Sequence, residues 1–172
     1  MVKMKRGSAA YQSGKAFEES VKDSVEYIEN LYGTPVLAWR ILDSSSYGSR
    51  RKYNQESLCD HIMIWNGVSV FIEAKTSKGA ASFESRYIRP NQLESMLSIE
   101  RAGGRAYFVF GKKNRAFEVE RVFAVKASAV ARLMETPSIT WAKLAESGVE
   151  IFKYPRLRKN HKDRWNLEPL WN

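Results

Sequence analysis

Between Ser13 and Tyr32 the apolar residues Ala16, Phe17, Val21, Val25, Ile28 and Leu31 recur at helical spacing. Glu18, Glu19, Lys22, Asp23, Glu26 and Glu29 fill the positions between them. Ser13 is a suitable N-cap and Gly33 with Pro35 a stop, so the pattern predicts one amphipathic helix over 14–32. Val36 to Leu42 is a short apolar run of strand length. Two β-rich runs follow, Leu58 to Trp65 and Val68 to Lys75, joined by Asn66-Gly67, whose tolerance of positive φ marks a hairpin. Thr76 to Arg89 reads as loop, and Pro90 then opens a helix that Gly103-Gly104 ends. Arg105 to Phe110 is an unbroken aromatic and β-branched run, the pattern of a buried strand, and Phe117 to Val125 is another. Helices over about 126–134 and 140–147 and a short strand near 149–154 complete the order α-β-β-β-α-β-β-α-α-β. That order predicts an α/β fold, a mixed sheet flanked by helices. A core domain over 1–154 and a basic tail over 155–172 are expected. The tail either lies over the core through Leu157, Trp165 and Trp171 or orders on DNA.

Composition narrows the function. The 172 residues include 28 Lys and Arg against 19 Asp and Glu, a formal charge of +9, with 44% hydrophobic residues. The apolar share suits one packed core, and the charge suits a polyanionic partner. No stretch approaches the ~20 apolar residues of a membrane span, and the basic start lacks the apolar run of a signal peptide. A cytoplasmic protein without a membrane partner is expected, or one in the host cytoplasm if phage-encoded. One cysteine, Cys59, excludes an internal disulfide framework and a cysteine zinc cluster, and two histidines make a histidine-rich metal site a poor expectation.

The chemistry concentrates from Asp60 to Lys75. Side chains alternate along a strand, so Glu73 and Lys75 point the same way and Ala74 points opposite. Asp60 begins the preceding strand of the same hairpin, which brings two carboxylates within reach of one cation. With a backbone carbonyl, that of Ala74, they form a hard oxygen site suited to Mg²⁺ or Mn²⁺. The competing interpretation is an ordinary cross-strand ion pair. His61 points opposite to Asp60 and reads as structural, and Cys59 as a small buried hydrophobe.

Further residues extend this pattern. Gly14-Lys-Ala-Phe-Glu18 places an acid on the first helix, and Arg89-Pro-Asn-Gln-Leu-Glu-Ser-Met96 places Gln92 near the start of the second. Ser57 stands three residues before Asp60, Glu73 thirteen after it, and a Ser82-Phe83 pair lies beyond. Together these resemble the motifs of the PD-(D/E)XK nuclease superfamily. In particular they resemble its Holliday-junction resolvases, the bacterial RecU group, with more distant similarity to archaeal Hjc enzymes. The resemblance runs from Gly14 to about Phe110 and implies a restriction-endonuclease-like core. It implies that Asp60 and Glu73 bind the divalent metal, that Lys75 acts on the water or the scissile phosphate, and that Glu18 completes the acidic site. Gln92 would orient Lys75 or the nucleophile, and Ser57 would contact the phosphate; Glu19, about 100° round the helix from Glu18, would be solvated.

Non-sequence-specific capture of four-way junction DNA is expected through Arg50, Arg51, Lys52, Arg86, Arg89, Lys112, Lys113 and the tail. A homodimer would match the junction's symmetry. The bacterial group carries a longer stalk before its Ser-x-x-Asp segment, whereas here only about Asp43 to Glu56 is available, nearer the archaeal arrangement. Two rivals remain open: another DNA repair or restriction-like nuclease of the same fold, and a non-catalytic DNA-binding module.

Overall fold

The computed structural model describes residues 9–41, 58–78, 81–154 and 163–172, with side chains from Gly14 onward. Helices α1 (Ala9–Asp23) and α2 (Val25–Tyr32) replace the single helix expected over 14–32. The break falls at Ser24, where two hydroxyls compete for backbone carbonyls. Ser20 Oγ donates to Phe17 O at 2.8 Å and Ser24 Oγ to Ser20 O at 2.6 Å. Such back-bonding bends helices. Gly33, in the left-handed region at φ 65°, ends α2 and donates its N–H to Glu29 O.

The strands β1 (Leu37–Arg40), β2 (His61–Trp65) and β3 (Val68–Ser77) form an antiparallel meander. Asn66 and Gly67 both have positive φ, 49° and 77°, as the tight turn between β2 and β3 requires. The segment read as loop between Thr76 and Arg89 instead holds the end of β3, the strand β4 (Ser82–Glu84) and a 3₁₀ turn at Ser85–Tyr87. A three-residue strand carries no readable period, and the partner of β4 lies far along the chain, in β7 (Ser138–Thr140).

Helix α3 (Pro90–Arg101) crosses from β3 to β5 (Arg105–Lys113), which pair in parallel. A parallel pair needs such a crossover. Strand β6 (Val119–Lys126) returns antiparallel, followed by α4 (Ala127–Leu133), β7, α5 (Trp141–Ser147) and β8 (Val149–Ile151). The main sheet has the order β1-β2-β3-β5-β6-β8. It is therefore a mixed sheet with helices on both faces, the α/β class expected from the pattern.

Each face carries its own core. On one, Phe17, Val21, Val25 and Ile28 of α1 and α2 pack on Val70, Ile72, Ala74, Tyr107 and Val109. On the other, Met96 of α3 and residues of α4 and α5 cover Phe108, Phe110, Phe123 and Val125. Gly111 permits the close approach of α1: a Cβ there would lie 3.1 Å from the Phe17 ring and from Thr76 Cγ2. Residues 163–172 fold back into the first core, with Trp165, Leu167, Leu170 and Trp171 buried. Leu157 lies outside the described residues.

Candidate active site

The site lies where β2 begins and β3 runs on past it. Asp60 stands just ahead of β2 with its backbone still in the sheet: its N–H donates to Ile72 O and its carbonyl accepts from Ile41 N. Its side chain takes over where backbone pairing stops, Oδ2 accepting from Ala74 N at 2.8 Å.

Glu73 is only 2% exposed. Its Oε1 accepts from Lys75 Nζ at 2.7 Å and from Gln92 Nε2 of α3. Gln92 is itself held in place, its Oε1 accepting from Arg89 N at 3.2 Å across the first turn of α3. Among the described residues nothing donates to Glu73 Oε2, which keeps its lone pairs. Burial raises the Glu73 carboxyl, Lys75 and Arg89 oppose the rise and Asp60 adds to it, which together leave it at about 7. A buried, crowded carboxylate with an open oxygen is one that a cation would relieve.

Glu18 reaches the site from α1, and Arg40 of β1 donates to its Oε2 at 2.5 Å. Burial raises its pKa, Asp60 adds to the rise, and Arg40, Lys75 and Lys15 oppose it. Glu19, its neighbour, is exposed. The structure thus brings Asp60, Glu73, Lys75 and Gln92 together with Glu18 and Arg89 close enough to act on them. Arg40 was missed by sequence reasoning. Its signal was there: it is the one charge in the apolar run from Val36 to Leu42, placed by strand alternation on the face of Ala38.

Arg86 is exposed on the 3₁₀ turn and pairs with Glu84 at 2.5 Å. Ser57, Arg50, Arg51 and Lys52 lie outside the described residues. Cys59 is buried, and burial pushes its thiol up to about 12, which leaves it unreactive. His61 is buried and neither ring nitrogen makes a hydrogen bond among the described residues.

Among the described residues, no three His, Cys, Asp or Glu side chains form a cluster suited to a metal ion. The donors that fit one are fewer: the carboxylates of Asp60, which meets Ala74 N, and Glu73. An all-oxygen set of this kind favours a hard divalent ion that keeps several of its waters.

The sequence matches the family model of RecU, recombination protein U, over residues 12–159. No curated protein matches the chain. Among solved structures, that of Archaeoglobus fulgidus Hjc, a Holliday junction resolvase from an archaeal hyperthermophile, is similar. The identity is 16% and the TM-score 0.44, over 73% of this chain and 90% of that one. With the family match running over most of its length, the chain belongs to the RecU family.

Proposed function

We propose that this RecU-family chain, a Holliday-junction resolvase, cuts four-way DNA junctions by paired phosphodiester hydrolysis, using Asp60, Glu73, Lys75 and Gln92 at each of two sites in a homodimer. The observation that carries the reading is Glu73: buried, with Oε1 held by Lys75 and Gln92 and Oε2 left open beside Asp60. Asp60 and Glu73, with the Ala74 carbonyl, hold Mg²⁺, for which Mn²⁺ substitutes. When bound, the cation supplies Lewis-acid chemistry, polarising the phosphate and acidifying water.

The protein's own groups do the rest. Lys75 is tied to Glu73, so its ammonium is presented to the phosphate in a fixed position, where it offsets charge that grows as the water oxygen adds to phosphorus. Gln92 locks the plane of the Glu73 carboxylate from the first turn of α3, and Arg89 adds positive charge on the same side. Glu18, paired with Arg40, completes the acidic edge. The P–O3′ bond breaks, the 3′ oxygen leaves as a hydroxyl and the phosphate stays on the 5′ end. A homodimer presents two such sites about a two-fold axis, matching a substrate that must be nicked twice.

The test is cleavage of a labelled immobile four-way junction in Mg²⁺, with a flap and a plain duplex alongside and Asp60→Asn in parallel. Paired, symmetric nicks in the junction by wild type alone are expected. Equal rates on all three substrates would point to a general nuclease of this fold. Tight binding without cutting by either protein would make the carboxylates structural.

A further inference from the structure

Lys113 ends β5, just past the irregularity in its pairing with β6, and its side chain turns inward, leaving the residue 6% exposed. Its Nζ donates to Thr76 Oγ1 at 2.6 Å. Thr76 directly follows Lys75 on β3, so its side chain lies on the opposite face, the one that α1 covers through Phe17 and Ala74. Two other charges converge on the same place. The Lys78 ammonium, 2.8 Å from the centroid of the Phe117 ring, opposes the charge on Lys113, and Glu18 favours it. Glu18 also feels Asp60 and Lys75. One carboxylate thus joins Lys113 to the catalytic edge.

This is an expensive place for an ammonium. Burial, with Lys78 adding to it, pulls the Lys113 pKa down to about 8. A fold that needed only packing here would be better served by an apolar side chain of the same length. An anion that reached this place would meet two positive charges, Lys113 and Lys78.

We propose that Lys113, set by Thr76 and flanked by Lys78, binds a backbone phosphodiester of the junction beside the catalytic edge. Thr76 stands three residues past Glu73, about 10 Å along β3, with its side chain on the opposite face of the sheet. This inference rests on the junction-nuclease reading. It separates Lys113 from the exposed basic residues that capture DNA loosely: a side chain already held by Thr76 loses little freedom on binding, so it fixes the position of the strand as well as attracting it.

The experiment compares wild type, Lys113→Met, Lys113→Arg and Thr76→Val. Each is assayed for binding to a labelled four-way junction in Ca²⁺ from 50 to 200 mM salt, with thermal melting as a check on folding. Folded Lys113→Met is expected to bind more weakly, with the slope of log K against log salt smaller by about 0.9, the value of one phosphate. Its gap from wild type then narrows by roughly 3.5-fold over that range. Lys113→Arg should restore the slope, because the charge returns. A changed melting temperature with an unchanged slope shows a purely structural lysine and overturns the proposal. Should Lys113→Met fail to fold, Thr76→Val decides: weaker junction binding supports the site, and undiminished binding overturns it. Wild type that neither binds nor cuts a junction overturns the nuclease reading, and this inference with it.

Discussion

Two buried groups at the site titrate in opposite senses, and this sets the pH behaviour. Glu73 keeps its proton up to about pH 7 in the folded chain, whereas an ordinary glutamate loses it near 4.5. The folded form therefore binds more protons across that window, and Glu73 makes the metal-free protein less stable as pH rises from about 4.5 to 7. His61 acts the other way. Burial, with Arg40 and Lys22 adding to it, lowers its pKa to about 4 from 6.5, so the unfolded form binds the extra proton and stability is lost as pH falls through that range. Glu73→Gln removes only the first effect. The melting temperature of the metal-free variant should rise relative to wild type as pH goes from 4.5 to 7, and the difference should level off above 7. A difference that stays constant with pH would show that the Glu73 carboxyl titrates normally. The same proton competes with the cation. Mg²⁺ binding, followed by calorimetry, should weaken as pH falls below about 7.

At the scale of elements, the placement of α1 depends on a segment distant in sequence. Trp165 donates from its backbone N–H to Ser24 Oγ at 2.8 Å and from Nε1 to Ser20 Oγ at 3.0 Å. Its ring meets Phe17 edge-on, with centroids 6.2 Å apart. Phe17 precedes Glu18, so this contact braces the helix where the acid leaves it. Trp165→Ala should cost about 3–5 kcal/mol in urea unfolding, the usual range for a buried aromatic. A loss below 1 kcal/mol would mean that the segment contributes little to the core. On the other side of the sheet, Gly148 links α5 to β8 under β6. A Cβ there would lie 2.3 Å from Ala124 O and 2.7 Å from Val125 Cγ2. Because backbone cannot step aside as a side chain can, Gly148→Ala is expected to destabilise by about 1–3 kcal/mol. The same unfolding curve measures it.

For the whole molecule, the surplus of nine positive charges governs affinity more than chemistry. If 6–10 phosphates are neutralised, junction binding should fall about 10³- to 10⁵-fold between 50 and 200 mM salt. A gel-shift series in Ca²⁺ tests this, and a nearly flat response would mean that recognition depends on shape and not on the phosphate backbone. Among the described residues, no helix is long and apolar enough to cross a membrane.

What the sequence determined by itself was local. Asn66-Gly67 specifies its turn through its own φ preferences, and Pro90 with Gly103 brackets α3 in the same way. Asp60, Glu73 and Lys75 could be read together because a hairpin converts short spacing into proximity. What the tertiary structure decided involves partners far apart in the chain. Arg40 meets Glu18 across 22 positions, and Gln92 meets Glu73 across 19. The motif could name Gln92 but not the oxygen it holds. Lys113 is one basic residue among many until β5 pairs beside β3 and buries it against Thr76. The break between α1 and α2 follows partly from Ser20 and Ser24, but both hydroxyls are engaged by Trp165, more than 140 residues on. Periodicity reports which face of an element is apolar; it carries no record of which distant residue comes to cover that face, because that depends on how the whole sheet closes.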